Sequence, residues 1–378
     1  MSPTPSVSDL SSVRHLMDDV FTRFFPPPQF LTPPAAGIDI SDASIKWLTL
    51  APDKKRKGQR VASWGSEDLP NGAVINGSIQ ESRLLVEALR VLKEHGTIRA
   101  HAALPEEGAF VFSMHVPEKT SREHILSMIE FELQTRVPLP PEEATFDFTE
   151  IMRHDDGVGT EIGVSVVPRD LAESYTRVFE DAGIELLSLE IEAQAIARAI
   201  APRDSDEIVL LVDFGHLRTG LAVLKRGIPI FTSTVEVGGN TMTHAVMKQL
   251  SLTAEEAQRF KNDEGLTAKS GPHAAGLEAV SGTAAALGDE VARTFHFWDT
   301  RRNERQERVT PVSRVILVGG TSNLKGLPDY IAGRVQAPAE RANVWRHVCS
   351  FDDYIPPIDV KTSLQYATAI GLALRNAQ

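Results

Sequence analysis

The feature that most restricts the fold of this chain is a near-repeat. Residues 37–50 read GIDISDASIKWLTL, and residues 211–224 read LVDFGHLRTGLAVL. Both run apolar strand, aspartate, short turn, apolar strand, and they lie about 170 residues apart, which marks a duplicated supersecondary unit. An ionised carboxylate inside a buried strand is costly unless it reaches water, a counter-charge or a metal ion. Asp39 and Asp213 are therefore expected where their strands run out into a cleft. Helical patterns follow each hairpin, so the sequence implies two similar α/β lobes facing one another. The length of 378 residues agrees, because single cores rarely grow past roughly 250–300 residues.

Hydrophobic periodicity assigns the elements around this frame. Residues 9–25 read as an amphipathic helix, with Leu10, Val13, Met17, Val20, Phe21 and Phe24 at three- and four-residue spacing and Asp9 as cap. A Pro-rich spacer at 26–34 separates it from the body. Three roles stay open for it: docking on the body, an arm for a partner, or a membrane contact. The mixed charge of its polar face (Arg14, Asp18, Asp19, Arg23) weighs against the last. Strands are expected at 37–40, 45–50, 60–69, 100–105, 110–117, 161–168, 184–189, 208–213, 219–225, 228–236 and 314–320. Helices are expected at 81–95, 120–135, 170–182, 190–200, 240–249, 253–264, 280–299, 324–335 and 364–375. The 120–135 helix opens on Thr120-Ser121 with Glu123 behind them, a capping-box pattern. The basic run at 53–60 reads as a solvated hairpin tip, with a binding patch as the alternative.

Composition excludes several functions. A net charge of −12 argues against nucleic-acid binding, which leaves a basic footprint. The single cysteine, Cys349, rules out an intrachain disulfide and fits a reducing compartment. No apolar run reaches about 18 residues, and the first residues lack a basic start and an apolar signal segment. A cytoplasmic protein is expected. Gly-x-x-x-x-Gly-Lys-[Ser/Thr] and Gly-x-Ser-x-Gly are absent, and the eleven histidines lack zinc spacing.

What remains suits phosphate. Phosphates are held by backbone N–H groups at tight turns and helix N-termini, by hydroxyls and by cations. Magnesium takes hard oxygen ligands and keeps several waters. Asp39 and Asp213 fit a hydrated ion if they converge. Gly215 permits close backbone approach, Thr219 offers a hydroxyl, and Gly238-Gly239 precede a helix. Gly319-Gly320 end a buried strand before another helix, which fits a base or ribose lying on exposed backbone.

This ordered set resembles the actin-like ATPase superfamily, and within it the PilM family of type IV pilus assembly, relatives of the division protein FtsA. The resemblance runs from Gly37 to the C-terminus. IEFELQTRVPLPPEEATFDF (129–148) resembles the family's Glu-rich helix, Pro-x-Pro turn and Asp-Phe strand. LEIEAQAIARAI (189–200) and ATAIGLALR (367–375) resemble its two connecting helices. FTSTVEVGGNTMT, EEAQRFK, LGDEVARTFHFW and VILVGGTSNLKGLPDYI resemble its later motifs. The resemblance implies an α/β, actin-like (ribonuclease H-like) fold: two lobes, an interlobe nucleotide cleft and an inserted small α/β subdomain. It implies an N-terminal appendage (1–35), a first lobe (36–206, with the insert at about 114–188), a second lobe (207–350) and a return to the first (351–378).

The resemblance also implies roles. Asp39 and Asp213 would flank hydrated Mg2+, and Lys46 would reach the ATP phosphates, with Ser41 and Ser44 in the first loop. Gly215 and Thr219 would frame the second loop. Gly238 and Gly239 would approach the nucleotide, Lys261 the ribose or base, and Gly319, Gly320 and Thr321 the adenosine. Glu192 would position a hydrolytic water; an ordinary acid near a helix start is its alternative, and a solvated helix lysine that of Lys261. The family's first loop carries glycine and then small hydroxyl residues, where this chain has Ser41 and Asp42. A positive φ would cost Ser41 about 1–2 kcal/mol. A carboxylate about 4 Å from a phosphate charge repels it by about 4 kcal/mol at an effective dielectric near 20. ATP affinity is thus expected to fall unless Asp42 turns outward or takes the metal. Gln258 stands where an acid is common.

Two readings follow. One is a cytoplasmic actin-like scaffold, peripheral at the inner membrane through its partners. It would bind ATP–Mg and grip the N-terminal cytoplasmic peptide of a PilN-like partner on residues 120–148, with other platform or motor proteins nearby. Turnover would be slow, because a scaffold needs a state and not flux. The other is a nucleotide-free adaptor resembling the cytoplasmic domain of the type II secretion protein GspL. An actin-fold sugar or acid kinase ranks below both, for want of a substrate pocket. The superfamily also leaves homo-oligomerisation open.

Overall fold

The computed structural model describes residues 33–53, 58–154, 159–202, 205–267, 274–302 and 311–377. The expected helix at 9–25, nearly all of the Pro-rich spacer and the tip of the basic hairpin fall outside them. From Ala35 onward the chain forms one compact unit.

The first part opens with β1 (Ala36–Ile40), β2 (Ser44–Pro52) and β3 (Gln59–Asp68), an antiparallel meander. A two-stranded hairpin, β4 (Val74–Ile75) and β5 (Ser78–Ile79), leads into α1 (Ser82–Glu94) and then β6 (Arg99–Leu104). The chain leaves this layer through β7 (Phe110–Val116), α2 (Arg122–Arg136), β8 (Ala144–His154) and β9 (Gly159–Pro168). It returns with α3 (Arg169–Ala182), β10 (Glu185–Ile191) and α4 (Glu192–Ile200). The second part repeats the meander with β11 (Ile208–Phe214), β12 (Thr219–Lys225) and β13 (Ile228–Val235). Then come α5 (Gly239–Leu250), α6 (Ala254–Asp263), α7 (Ala274–Thr300), β14 (Val312–Val318), α8 (Leu327–Val335) and β15 (Ala339–Arg341). A short α9 (Val360–Ser363) precedes α10 (Ala367–Ala373).

The two large sheets have one topology. Their orders are β10-β6-β1-β2-β3 and β15-β14-β11-β12-β13. In each, the meander is antiparallel and the two further strands run parallel to its first strand. The sequence near-repeat is thus a structural repeat, and the fold is the actin-like one. The third sheet, β7-β9-β8, packs on α2 around Phe112, Met114, Ile129, Leu133 and Val164.

The central strands are buried on both faces, which is why they read as continuous apolar runs. Along β11, Val209 and Leu211 enter the core shared with the first sheet, while Ile208, Leu210, Val212 and Phe214 enter the core under α5, α7 and α8. Period-two alternation then sends Asp213 to the side of Leu211, toward the first sheet. In β1 the core residues are Ala36, Ile38 and Ile40, so Asp39 shares the opposite face with Gly37.

That face is occupied by α10. A Cβ on Gly37 would lie 2.0 Å from the Ala369 carbonyl oxygen, and one on Gly371 would lie 1.8 Å from that of Ala195 in α4. The α4–α10 crossing is therefore a backbone contact. A buried ion cluster fastens it: Arg198 donates to both oxygens of Glu190 (2.5 and 2.7 Å) and to the Gly371 carbonyl at 3.0 Å, and Arg375 joins Glu190 at 2.5 Å. The third sheet is fastened to the second lobe. Lys225 of β12 donates to the buried Glu161 of β9 at 2.5 Å, and Gly163 lies against Ile228.

Local expectations were met unevenly. Strand β15 and the β4–β5 hairpin, being short, were not anticipated as elements; β8 was anticipated only as the Asp-Phe strand of the family resemblance and not from periodicity. The capping box expected at Thr120 does not form. Ser121 is the cap of α2, its hydroxyl accepting from His124 N at 3.4 Å, while Thr120 donates to the Pro117 carbonyl. A capping box does open α6, from Thr253 and Glu256. The helix expected at 324–335 starts at Leu327, after a 3-10 turn at Gly320–Asn323.

The α4–α10 contact leaves no room for a side chain. Gly371→Val should cost about 3 kcal/mol, the upper range for overpacking, read as a lowered urea midpoint at unchanged slope; an unaltered midpoint would mean the helices part freely.

Candidate functional site

A cleft of about 770 Å³ opens between the two sheets. Asp39, Ser41, Ser44, Lys46, Glu192, Asp213, Gly215, Lys261, Gly319, Gly320 and Thr321 all line it. Thr219, Gly238 and Gly239 stand behind the lining. The buried Thr219 hydroxyl donates to the Val237 carbonyl at 2.6 Å, and Gly239 N donates to the Gly215 carbonyl at 3.0 Å. Gly238 packs against the backbone of His216 and Leu217. These three brace the second turn from outside.

Hairpin register organises the first turn. Asp39 on β1 pairs across from Lys46 on β2, so the acid comes with a cation. Lys46 Nζ donates to Ser44 Oγ at 2.8 Å. Ser41 does not take the positive φ expected of its position. Its N–H and hydroxyl both donate to the Ser44 carbonyl at 2.9 Å, and its Oγ accepts from Ser44 N at 3.2 Å. A side-chain clasp thus closes the turn, and the strain expected of serine in place of glycine is absent.

Asp42 turns away from the hairpin. Its carboxylate accepts from Asn76 N at 2.9 Å and Gly77 N at 3.1 Å, and pairs with Arg218 of the second turn at 2.7 Å. The repulsion expected between Asp42 and a phosphate is met by an arginine that sequence reading had not singled out.

In the second lobe, Asp213 sits opposite Gly220 and beside Val318. Gly319 has φ +84°, and a Cβ there would lie 2.4 Å from Asp213 Oδ1, so both conformation and space demand glycine. Thr321 donates to the Gly215 carbonyl at 2.9 Å, joining the Gly-Gly turn to the second hairpin. Lys261 is only 2% exposed, which excludes a solvated lysine. Its Nζ donates to the Gly239 carbonyl (3.0 Å), Thr243 Oγ1 (2.9 Å) and Gln258 Oε1 (3.1 Å). Because Gln258 is an amide, it gives Lys261 no counter-charge, and burial pulls the ammonium down to about 8.

The cleft wall concentrates acids. Desolvation pushes Asp213 up to about 7, with Asp39 adding to the rise and Lys46 opposing it. Asp39 is raised by burial against the pull of Lys46, and Glu192 well above its ordinary range by burial and then Asp39. Sequence reading missed Glu106 and Glu107, although they follow the buried strand β6 at its carboxyl end, where α/β sheets place ligands. Glu106 Oε2 accepts from Ala193 N at 3.0 Å, capping α4 beside Glu192. Its Oε1 is buried without a partner, and burial lifts the group to about 7.

These residues fit a hydrated divalent cation. Asp39 and Asp213 share one cleft, each ionises reluctantly without added positive charge, and an orphaned acceptor lies close by. Among the described residues no three His, Cys, Asp or Glu side chains converge to hold a bare ion, so the fit is to an ion that keeps its water.

A second hollow, about 530 Å³, lies where α2 meets the strand before it, lined by Met114, Lys119, Thr120, His124, Met128 and Phe131 among others. Phe131 is 71% exposed. No helix among the described residues is long and apolar enough to cross a membrane.

The acid cluster has a stability consequence. Folded Asp213 keeps its proton to about pH 7, against an ordinary value of 3.8. Between those values the folded state binds more protons than the unfolded one, so stability falls as pH rises through that window. In magnesium-free buffer the urea midpoint should be lower at about pH 8 than at about pH 5. Asp213→Asn should shrink that difference; an undiminished difference would remove Asp213 as its source.

Comparison with known proteins matches this architecture. A structure titled PilM-PilN type IV pilus biogenesis complex superposes with TM-score 0.72 at 20% identity, covering 92% of this chain and 99% of that one. The ethanolamine utilization protein EutJ of Carboxydothermus hydrogenoformans superposes at 0.52 with 17% identity, over 97% and 98% of the two chains. MreB5 of Spiroplasma citri, bound to ADP, superposes at 0.52 with 12% identity, over 91% and 95%. Cell division protein FtsA of Bacillus subtilis is 29% identical over 98 residues, 26% of this chain, and the match spans only 22% of that protein's length. The family model for type IV pilus assembly protein PilM matches residues 37–377, and the chain belongs to that family.

Proposed function

We propose that this chain is a cytoplasmic scaffold of a pilus assembly platform, held at the inner membrane through partners, which binds ATP–Mg in the interlobe cleft. The observation that carries this reading is the convergence of Asp39 and Asp213, from equivalent strands of the two sheets, on one acid-rich cleft. Asp39 and Asp213 would hold hydrated Mg2+, and the ion would supply the charge that lets phosphates enter among carboxylates. Lys46, Ser41, Ser44 and the backbone at Gly215 would contact phosphates. Gly319, Gly320 and Thr321 would face the adenosine. Lys261 would meet the ribose or base by exchanging one of its present acceptors. Glu192, at the first turn of α4, would orient a water only when ionised, so turnover would be slow. The ADP bound by MreB5, which shares this fold, supports a nucleotide ligand.

The partner would be a short peptide of a PilN-like membrane protein, in line with the PilM-PilN complex that this fold resembles. The hollow beside α2 supports that reading, because its exposed Phe131 and half-buried Met128 offer apolar contact outside the face that α2 buries with Ile129 and Leu133. A nucleotide-free adaptor is the second reading, favoured by the Asp42–Arg218 pair, which ties the two turns using protein groups alone.

Calorimetric titration with ATP and Mg2+ separates the two: heat from the wild type that vanishes in Asp213→Ala supports the nucleotide reading, and no heat from the wild type at millimolar ATP selects the adaptor. For the partner, Phe131→Asp should weaken a PilN-type N-terminal peptide by about 2 kcal/mol, roughly 30-fold; undiminished binding would move the peptide elsewhere.

A further inference from the structure

The tips of the two hairpins are joined by one guanidinium. Arg218, in the turn between β11 and β12, pairs through Nη2 with Asp42 Oδ1 at 2.7 Å and through Nε with Glu107 Oε1 at 2.6 Å. Its Nη1 donates to Asn76 Oδ1 at 2.8 Å. All three partners lie in the first lobe, and Arg218 in the second. The side chains of Arg218 and Asp42 are only 12% and 11% exposed. Asp42 is also held from behind by the N–H groups of Asn76 and Gly77. A planar fork filled by two carboxylates and an amide is a built array.

Its place in the cleft gives it more than a packing role. Asp42, Glu107 and Arg218 all line the cleft that holds Asp39 and Asp213. Of the other cations there, Lys46 donates to Ser44 and lies across the hairpin from Asp39, Lys261 donates to Gly239, Thr243 and Gln258, and Lys361 lines the cleft as well. Of Lys46, Lys261 and Arg218, Arg218 alone pairs directly with carboxylates, anions that a phosphate of matching geometry can replace. Glu236 also faces it, so negative charge around this arginine exceeds its own positive charge.

We propose that Asp42 is a built-in counter-anion for Arg218, so that the clasp closes the two lobes without a ligand and an incoming phosphate must displace Asp42 from Arg218. The displacement half rests on the nucleotide reading above; the clasp half does not.

Two measurements on the full chain test the two halves. The first is hydrogen exchange without nucleotide or magnesium, read at residues 41–44 and 215–219. Asp42→Asn and Arg218→Gln should each speed exchange in both turns by about tenfold or more, and Glu107→Gln serves if Arg218→Gln fails to fold. Acceleration confined to one turn, or none, overturns the clasp. The second is ATP–Mg calorimetry on the wild type, Asp42→Asn, Arg218→Gln and the double variant. Asp42→Asn should tighten binding about tenfold, Arg218→Gln should weaken it, and the gain from Asp42→Asn should vanish once Arg218 is gone. An equal gain with and without Arg218 makes Asp42 a plain repulsive charge and overturns displacement. Absence of ATP binding in every variant overturns displacement together with the nucleotide reading, and leaves the clasp to the exchange result.

Discussion

The α4–α10 crossing is the constraint on which the rest of the structure depends. The two helices touch backbone to backbone at Ala195 and Gly371, and α10 lies equally close to β1 at Gly37. Because α4 follows the first sheet in the chain and α10 closes it, their approach sets how near the two large sheets come. The residues at the cleft are arranged from that contact. Glu192 begins α4, Thr368 lies in the first turn of α10 and lines the cleft, and Asp39 shares the strand face that α10 covers. A wider crossing would separate Asp39 from Asp213 and dissolve the site without altering any residue in it.

Such closeness has an electrostatic cost that the protein meets locally. Asp39, Asp213, Glu106, Glu107 and Glu192 share one cleft with few cations, and all five are raised mainly by desolvation. Three have a partial remedy: Lys46 lies across the hairpin from Asp39, the α4 N-terminus donates to Glu106, and Arg218 takes Glu107. Asp213 shares Lys46 with Asp39, and among the described residues nothing nearby offsets the rise of Glu192, which fits a cleft whose counter-charge arrives with a ligand.

Much of this was legible in the sequence, and for a physical reason. Hairpins, buried strands and Gly-Gly turns are local patterns, so the two meanders, the strand into Gly319-Gly320 and the connecting helices could be read from spacing. The same holds for Asp39 and Asp213, since an acid inside an apolar run is itself a signal. What could not be read are contacts between distant segments. Asp42 looked like a defect because its partner, Arg218, is near it only once the lobes meet. For Lys261 a solvated helix lysine stayed open beside the nucleotide role, because burial depends on α5 and the turn at Gly239. Ser41 looked strained because the alternative, a hydroxyl closing the turn on Ser44, is a matter of rotamer and not of residue type. Glu106 and Glu107 had a readable signal, their position after β6, that the two aspartates overshadowed.

The third sheet is rooted in the first half of the molecule by chain connectivity at both ends, yet Glu161 and Gly163 are seated on β12 and the start of β13 in the second half. It is thus mounted like a strut across a hinge, built into one leaf and pinned to the other. A change of angle between the leaves must either carry the strut along or pull Lys225 from a buried carboxylate. The hollow beside α2 rides on that strut, so whatever grips it feels the aperture of the hinge and, by the same linkage, acts back upon it.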